Sequence, residues 1–261
     1  MTTMTYVSQA QSVRSAGFTA ALRAEWGKLW SVRSSWITLS LGVLAGIGVA
    51  LLNVFFREGE ATYATIAAEV AGTAGLVAIP IMVFAVISVT AEYSSRAVHN
   101  TLLGTPRRNR LLGAKALSVG LAAFLTAVVA TGLGFAVTLV GAKHVGGALG
   151  DSGVLFPMLV APVVVALLAV WAMALGTLLR SAAGAISLVL VEQLALGSLI
   201  GLVLRNDIGR KIGHSLPNYA SGQLLSAVKL TPHVWGQLAV LLAWVIGGLV
   251  VAGYALHRRD A

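Results

Sequence analysis

Six apolar runs, each close to the roughly 20 residues that cross a bilayer's hydrocarbon core, leave this 261-residue chain few ways to fold. They extend from Trp36 to Phe56, Ala71 to Thr90, Leu117 to Val140, Leu155 to Leu179, Ala182 to Leu204 and Val234 to Tyr254. In hydrocarbon a backbone must satisfy its own hydrogen bonds, and a helix does so within one segment. The expected fold class is therefore an all-α polytopic membrane protein with six transmembrane helices. Charged residues make up 10% of the chain, against roughly a quarter in soluble domains, too few to cover a water-exposed surface. Mean hydropathy is +0.88. The spans consume nearly half the length, so the expected organisation is one transmembrane domain over 1–261. It comprises a tail with an interfacial helix (1–35), a six-span bundle (36–256) and a short tail (257–261).

An even number of spans returns both termini to one side. Residues 1–35 lack the early apolar core and small-residue cleavage site of a secretory signal. Arg14, Arg23, Lys28, Arg33, Arg96, Arg107, Arg108, Arg110, Lys115, Arg180, Arg258 and Arg259 would share one side. They are about two-thirds of the 18 Lys and Arg, which marks that side as cytoplasmic. Arg205, Arg210, Lys211 and Lys229 in the last outer connection, against Asp207 alone, run counter to this topology. The expected location is the plasma (inner) membrane, multi-pass, with both termini cytoplasmic. The net charge of +9 is spread over span ends, where cations orient helices and meet anionic lipid, so it points to membrane lipids and not to nucleic acid.

Phe18, Leu22, Trp26, Leu29 and Trp30 recur at helical spacing before the first span, flanked by Arg23 and Lys28. This stripe fits an amphipathic interfacial helix on the inner leaflet, the alternative being an ordinary flank of the first span. Between the second and third spans, Glu92 to Leu103 can form a short cytoplasmic helix that Gly104 and Pro106 stop, and a basic cluster follows. On the residues alone, lipid anchoring and partner docking are equally open here. The segment SLPNYASGQLLSAVKL in the last outer connection predicts a short helix resting against the outer membrane surface. Kinks are expected at Pro80, Pro157 and Pro162, and close helix approach at Gly42 with Gly46 and at Gly197 with Gly201.

Chemistry-bearing motifs are scarce. No GxxxxGK[ST] phosphate loop or GxSxG nucleophile elbow occurs, and Gly113-Ala114-Lys115 lacks the spacing and hydroxyl of the former. There is no cysteine, and the five His show no HExxH or comparable spacing. The reading is a non-enzyme with no catalytic residue, metal or cofactor of its own.

In four stretches the chain resembles the permeases of ABC type-2 transporters, specifically the small six-span actinobacterial-type members that pair with a separate ATP-binding subunit. These are the amphipathic segment from Leu22 to Leu29, and an inner loop with Ala91-Glu92-Tyr93, Thr101-Leu102, Pro106-Arg107-Arg108, Arg110 and Lys115. The others are Glu192 in the fifth span with Leu216-Pro217, Ala220 and Leu224 after it, and the six-span plan ending in Arg258-Arg259. One departure lies in the loop, where Arg96-Ala97 and His99 stand in place of the family's Gly-Thr and basic residue. The resemblance implies a membrane subunit of an ATP-driven exporter, working as a homo- or heterodimer, with ATP and Mg on the partner ATPase. It also implies that the 91–115 segment is the coupling helix. Glu92, Tyr93, Arg96, His99, Leu102, Pro106, Arg107, Arg108 and Arg110 would then meet the ATPase.

Glu192 is the one acid inside these spans, and an ionised carboxylate at helix centre costs about 3 kcal/mol on insertion scales. It either faces the translocation path or dimer seam, or packs as a protonated or hydrogen-bonded residue. A secondary transporter and a non-transporting membrane scaffold are the alternatives in function. The former would need more intramembrane ionisable groups than Glu192.

Overall fold

The computed structural model describes residues 17–57, 59–94, 108–142, 145–204 and 206–259. The helices in chain order are α1 (Phe18–Ser31), α2 (Arg33–Phe56), α3 (Tyr63–Ser94), α4 (Arg108–Gly141), α5 (Ser152–Leu179), α6 (Ala182–Val191) and α7 (Gly197–Val203). They continue with α8 (Asp207–His214), α9 (Pro217–Leu225) and α10 (Pro232–Arg259), and a π-helical turn, Glu192–Leu196, joins α6 to α7. A two-residue parallel pairing, Ala61 opposite Val145 and Thr62 opposite Gly146, ties the chain before α3 to the chain after α4.

Among the described residues, five helices (α2, α3, α4, α5 and α10) are long and apolar enough to cross a membrane. Their outward faces are greasy, with Phe55 80%, Phe56 79% and Val140 88% exposed. Such a surface is stable against lipid tails, so the chain is an all-α polytopic membrane protein. The expected fifth span is not one long α-helix. Its run breaks into α6, the π turn and α7, because the ladder takes up an extra residue at Glu192.

Small residues at helical spacing set the packing. Ala67, Ala71, Ala74, Ala78 and Ala85 form a fully buried stripe along α3. Val119, Ala123, Ala127 and Ala130 do the same on α4. Lipid tails are as apolar as the side chains, so helix association here rests on close van der Waals contact, which small residues permit. Helix α3 is the hub, packed on α5, α2 and α4. Two expected contact glycines serve this packing: a Cβ on Gly42 would lie 3.0 Å from Ile81 of α3, and one on Gly46 would lie 3.2 Å from the Ala130 carbonyl of α4. Of the other pair, Gly197 backs onto Asn218. Helices α3 and α5 run through Pro80, Pro157 and Pro162.

Helix α1 is distinct from α2, because the chain breaks at Val32 (φ −102, ψ 126). It packs on α4, and its buried face is Ala21, Glu25 and Leu29. Of the predicted stripe, Leu29 is buried, Trp26 and Trp30 pack partly buried against the core, and Phe18 is 41% exposed. Trp26, Trp30 and Trp36 form a chain of ring contacts at centroid separations of 5.4 and 5.0 Å.

The helix expected to rest on the outer surface takes another position. As α9 it begins at Pro217, as anticipated, but it is wedged among α3, α5 and α10 with Ala220, Ser221, Leu224 and Leu225 buried. Its apolar residues find helix faces there instead of lipid. The preceding helix, α8, is capped by Asn206, whose Oδ1 accepts from Gly209 N at 2.8 Å. Gly209 lies so close under the Leu204 carbonyl that no Cβ would fit.

Candidate functional site

At the end of the bundle where α1, the last turn of α3 and the first turns of α4 meet, four charged side chains form one network. Lys115 Nζ lies 2.8 Å from both Glu25 Oε2 and Glu92 Oε1. Lys28 Nζ lies 2.5 Å from Glu25 Oε1 and 3.1 Å from Glu92 Oε1. The side chains of Glu25 and Lys115 are 3% and 7% exposed, so a pair that would be costly alone is held by two reciprocal partners and is neutral as a whole. A recess of about 200 Å³ opens beside it, its walls mixing Ser31, Ser35 and Ser88 with Leu29, Val32 and Ile87.

Local structure brings these residues together. Glu25 and Lys28 stand one turn apart on α1, so both project toward the same neighbour. Glu92 sits in the last turn of α3, and Lys115 projects two turns into α4. Next to them the Arg180 guanidinium lies 5.1 Å from the Tyr93 ring centroid. Arg180 ends α5 in a left-handed conformation (φ 53), its N–H donating to the Gly176 carbonyl at 3.0 Å. Four chain segments thus converge on one charged end.

The electrostatics are those of a locked cluster. Burial pushes the Glu25 carboxyl up, but Lys115 and Lys28 together outweigh it and hold the group below its ordinary 4.5. For Lys28, burial pulls down while Glu25 and Glu92 pull up harder, leaving the ammonium above its ordinary 10.5.

Several expected coupling residues can now be placed. Glu92 and Tyr93 do not begin a separate cytoplasmic helix. They finish α3, because the apolar helix continues through Ser94 without a break. Arg96, His99, Leu102, Pro106 and Arg107 lie outside the described residues. The Arg108 backbone opens α4, and Arg110 follows half-buried in its first turn. Glu25 was missed as a site residue. Its signal was an acid set four residues from both Ala21 and Leu29, on the apolar face of a short helix. Lys115 read as a topology anchor, while its ammonium is in fact the cluster's centre.

The second polar position is Glu192, 5% exposed at the start of the π turn. Its Oε1 accepts from the Asn218 backbone N–H at 3.0 Å. Helix α9 has Pro217 in its first turn and no side-chain cap from Leu216, so Glu192 supplies that cap from a distant helix. Glu192 Oε2 and Asn218 Oδ1 are buried and meet no hydrogen-bond donor among the described residues. One Glu192 oxygen thus serves the α9 terminus and the other meets no donor among the described residues.

No protein-family model matches this chain, and no curated protein matches it.

Replacing Lys115 by Met leaves the buried Glu25 Oε2 without its partner and sets two carboxylates against Lys28 alone, which should cost about 3–5 kcal/mol in thermal unfolding in detergent. Removing Glu25 and Lys115 together should cost far less, because Lys28 and Glu92 remain paired. The depressed Glu25 carboxyl contributes stability above pH 4.5 that is lost as pH falls through its folded value. The raised Lys28 ammonium contributes below pH 10.5 and is lost as pH rises through its folded value. The cluster's contribution should therefore be flat between those limits, and Glu25→Gln should remove the acid limb.

Glu192→Gln keeps an acceptor for the Asn218 N–H and should leave unfolding unchanged. Glu192→Leu leaves that donor unpaired and should cost about 1–3 kcal/mol.

Proposed function

We propose that this chain is the membrane-spanning permease subunit of an ATP-driven ABC exporter, working as a dimer with a separate ATP-binding subunit. The observation that carries this reading is the network of Glu25, Lys28, Glu92 and Lys115, centred on the buried pair Glu25 and Lys115. It clamps α1, the end of α3 and the start of α4 on either side of the 95–107 segment. A force applied to that segment by a nucleotide-driven partner would enter three helices as one body instead of being absorbed in a hinge. Motors of this kind work by biasing rigid bodies between two states, so such a clamp is what transmission requires.

The run that follows α5 is taken in this reading as a sixth crossing. α6, the π turn and α7 run without a gap from Ala182 to Val203. At 1.5 Å per residue this is about 33 Å, enough to cross the hydrocarbon core. With it, both termini lie on the side that carries the basic clusters, which would be cytoplasmic. α8 and α9 would then form the outer connection, α9 turning back into the bundle. Glu192, at the point where α9 enters, would stand on the translocation path or the dimer seam. ATP and Mg belong to the partner.

Charge reversal at Arg107 and Arg108 together should release the ATPase or leave it hydrolysing ATP without export. Export per ATP in liposomes containing the complete complex is the readout, and normal coupling in the double variant would reject docking at this segment. Unchanged export and ATP turnover in Glu192→Gln would reject a transport role for that carboxylate.

A further inference from the structure

Helix α10 is flanked by two grooves of different character. One, about 560 Å³, lies toward α5 and is lined by Trp171, Trp244, Gly247 and Gly248 together with aliphatic side chains, with no charged group. The other, about 430 Å³, lies between α10 and α4 and runs past Leu112, Ile246, Leu249 and Val250. This second groove ends on polar groups. His257 Nε2 lies 2.8 Å from Asn109 Oδ1, and the Arg258 guanidinium lies 5.1 Å from the ring centroid of Tyr254. Asn109, Tyr254 and His257 all belong to the groove wall. At Gly253 an added Cβ would make ordinary contact with Leu112 at 3.6 Å and Asn109 at 3.9 Å, so α4 and α10 approach there without clashing and a larger side chain would project into the slot.

Charge decides what would occupy it. Neither α4 nor α10 contains a single Asp or Glu. Among the described residues the acids at this end of the bundle, Glu25 and Glu92, are neutralised by Lys28 and Lys115; Asp260, after Arg259, lies outside the described residues. The mouth of this groove thus presents an imidazole and, stacked on the wall residue Tyr254, the Arg258 guanidinium, with no carboxylate on its two helices. An aromatic ring sits at the same level, which is where tyrosines mark the membrane–water boundary. A basic mouth above an apolar slot between membrane helices matches one kind of molecule: an acyl chain below and a phosphate above.

We propose that the groove between α4 and α10 is a specific site for an anionic glycerophospholipid. One acyl chain lies along Leu112, Leu249 and Val250, and the headgroup phosphate is held by Arg258 beside His257 and Asn109. The larger groove toward α5, having no charge, takes lipid chains without selection by headgroup. The proposal needs only the membrane bundle and is independent of what the chain transports.

The test is native mass spectrometry of the full-length protein released from nanodiscs of equal phosphatidylglycerol and phosphatidylcholine. The wild type should retain phosphatidylglycerol in preference. Arg258→Gln should lower that retention about fivefold, the weight of one basic residue at an anionic surface. Gly253→Phe, which fills the slot, should abolish it, while Gly247→Phe in the uncharged groove should leave it unchanged. Thermal unfolding in lipid-free detergent identifies a variant that has merely failed to fold, in which case Arg258→Gln decides. Equal retention of the two lipids, or loss with Gly247→Phe as well, would overturn the site. Efficient dimer crosslinking through Val250→Cys, in a chain with no other cysteine, would give the groove to a second copy and overturn it too.

Discussion

Hydrocarbon surroundings allow no unpaired charge, and the whole arrangement follows from how this chain meets that demand. Among the described residues its ionisable groups stand mostly at helix ends, and of the buried ones all but Glu192 are bound to each other. Lys115 with Glu25 and Glu92, completed by Lys28, is the main instance. At the opposite end of α2, Arg57 pairs with Glu69 beside the short parallel strand pairing. Between these ends the interior is rich in alanine and valine, set among larger side chains such as Phe84, Met82 and Leu168, and contact distance replaces the hydrophobic driving force.

Glu192 meets the same demand differently. It caps a helix that enters the bundle, its Oε1 accepting the Asn218 N–H at that helix's N-terminus. The π turn that begins at Glu192 and the wedged α9 are therefore parts of one local solution. This is also where the long-helix pattern of the bundle is broken. A site where a carboxylate, an unused oxygen and a helix terminus meet is suited to respond to a bound group. That is the physical reason to connect it with the transport path in the proposed reading.

Much of this was legible in the residues, because membrane helices announce themselves by composition. α2 begins three residues before the expected Trp36 and ends with it at Phe56. α3 and α4 are longer than their apolar runs, since helix continues beyond the apolar segment wherever the chain supplies caps or partners. At the start of α3, Thr62 Oγ1 accepts from Thr65 N and Thr65 Oγ1 from Thr62 N, a reciprocal cap that hydropathy does not register. The charge network was not legible for a related reason. Periodicity treats Glu25 as a polar interruption, and loop counting treats Lys115 as an anchor, whereas their meaning depends on a tertiary meeting of three segments. The position of α9 was hidden likewise, because a short apolar helix suits a membrane surface and a helix cleft equally well.

What unites these features is a bundle whose charged end is rigid and whose motive force, in the proposed account, comes from another polypeptide. Purification of the tagged full-length chain in mild detergent tests that most directly. The account predicts that an ATPase bearing a Walker phosphate loop accompanies it in equal amount and is lost when Arg107 and Arg108 are reversed in charge. Recovery of the folded bundle with no such ATPase, under conditions that preserve membrane complexes, would contradict it.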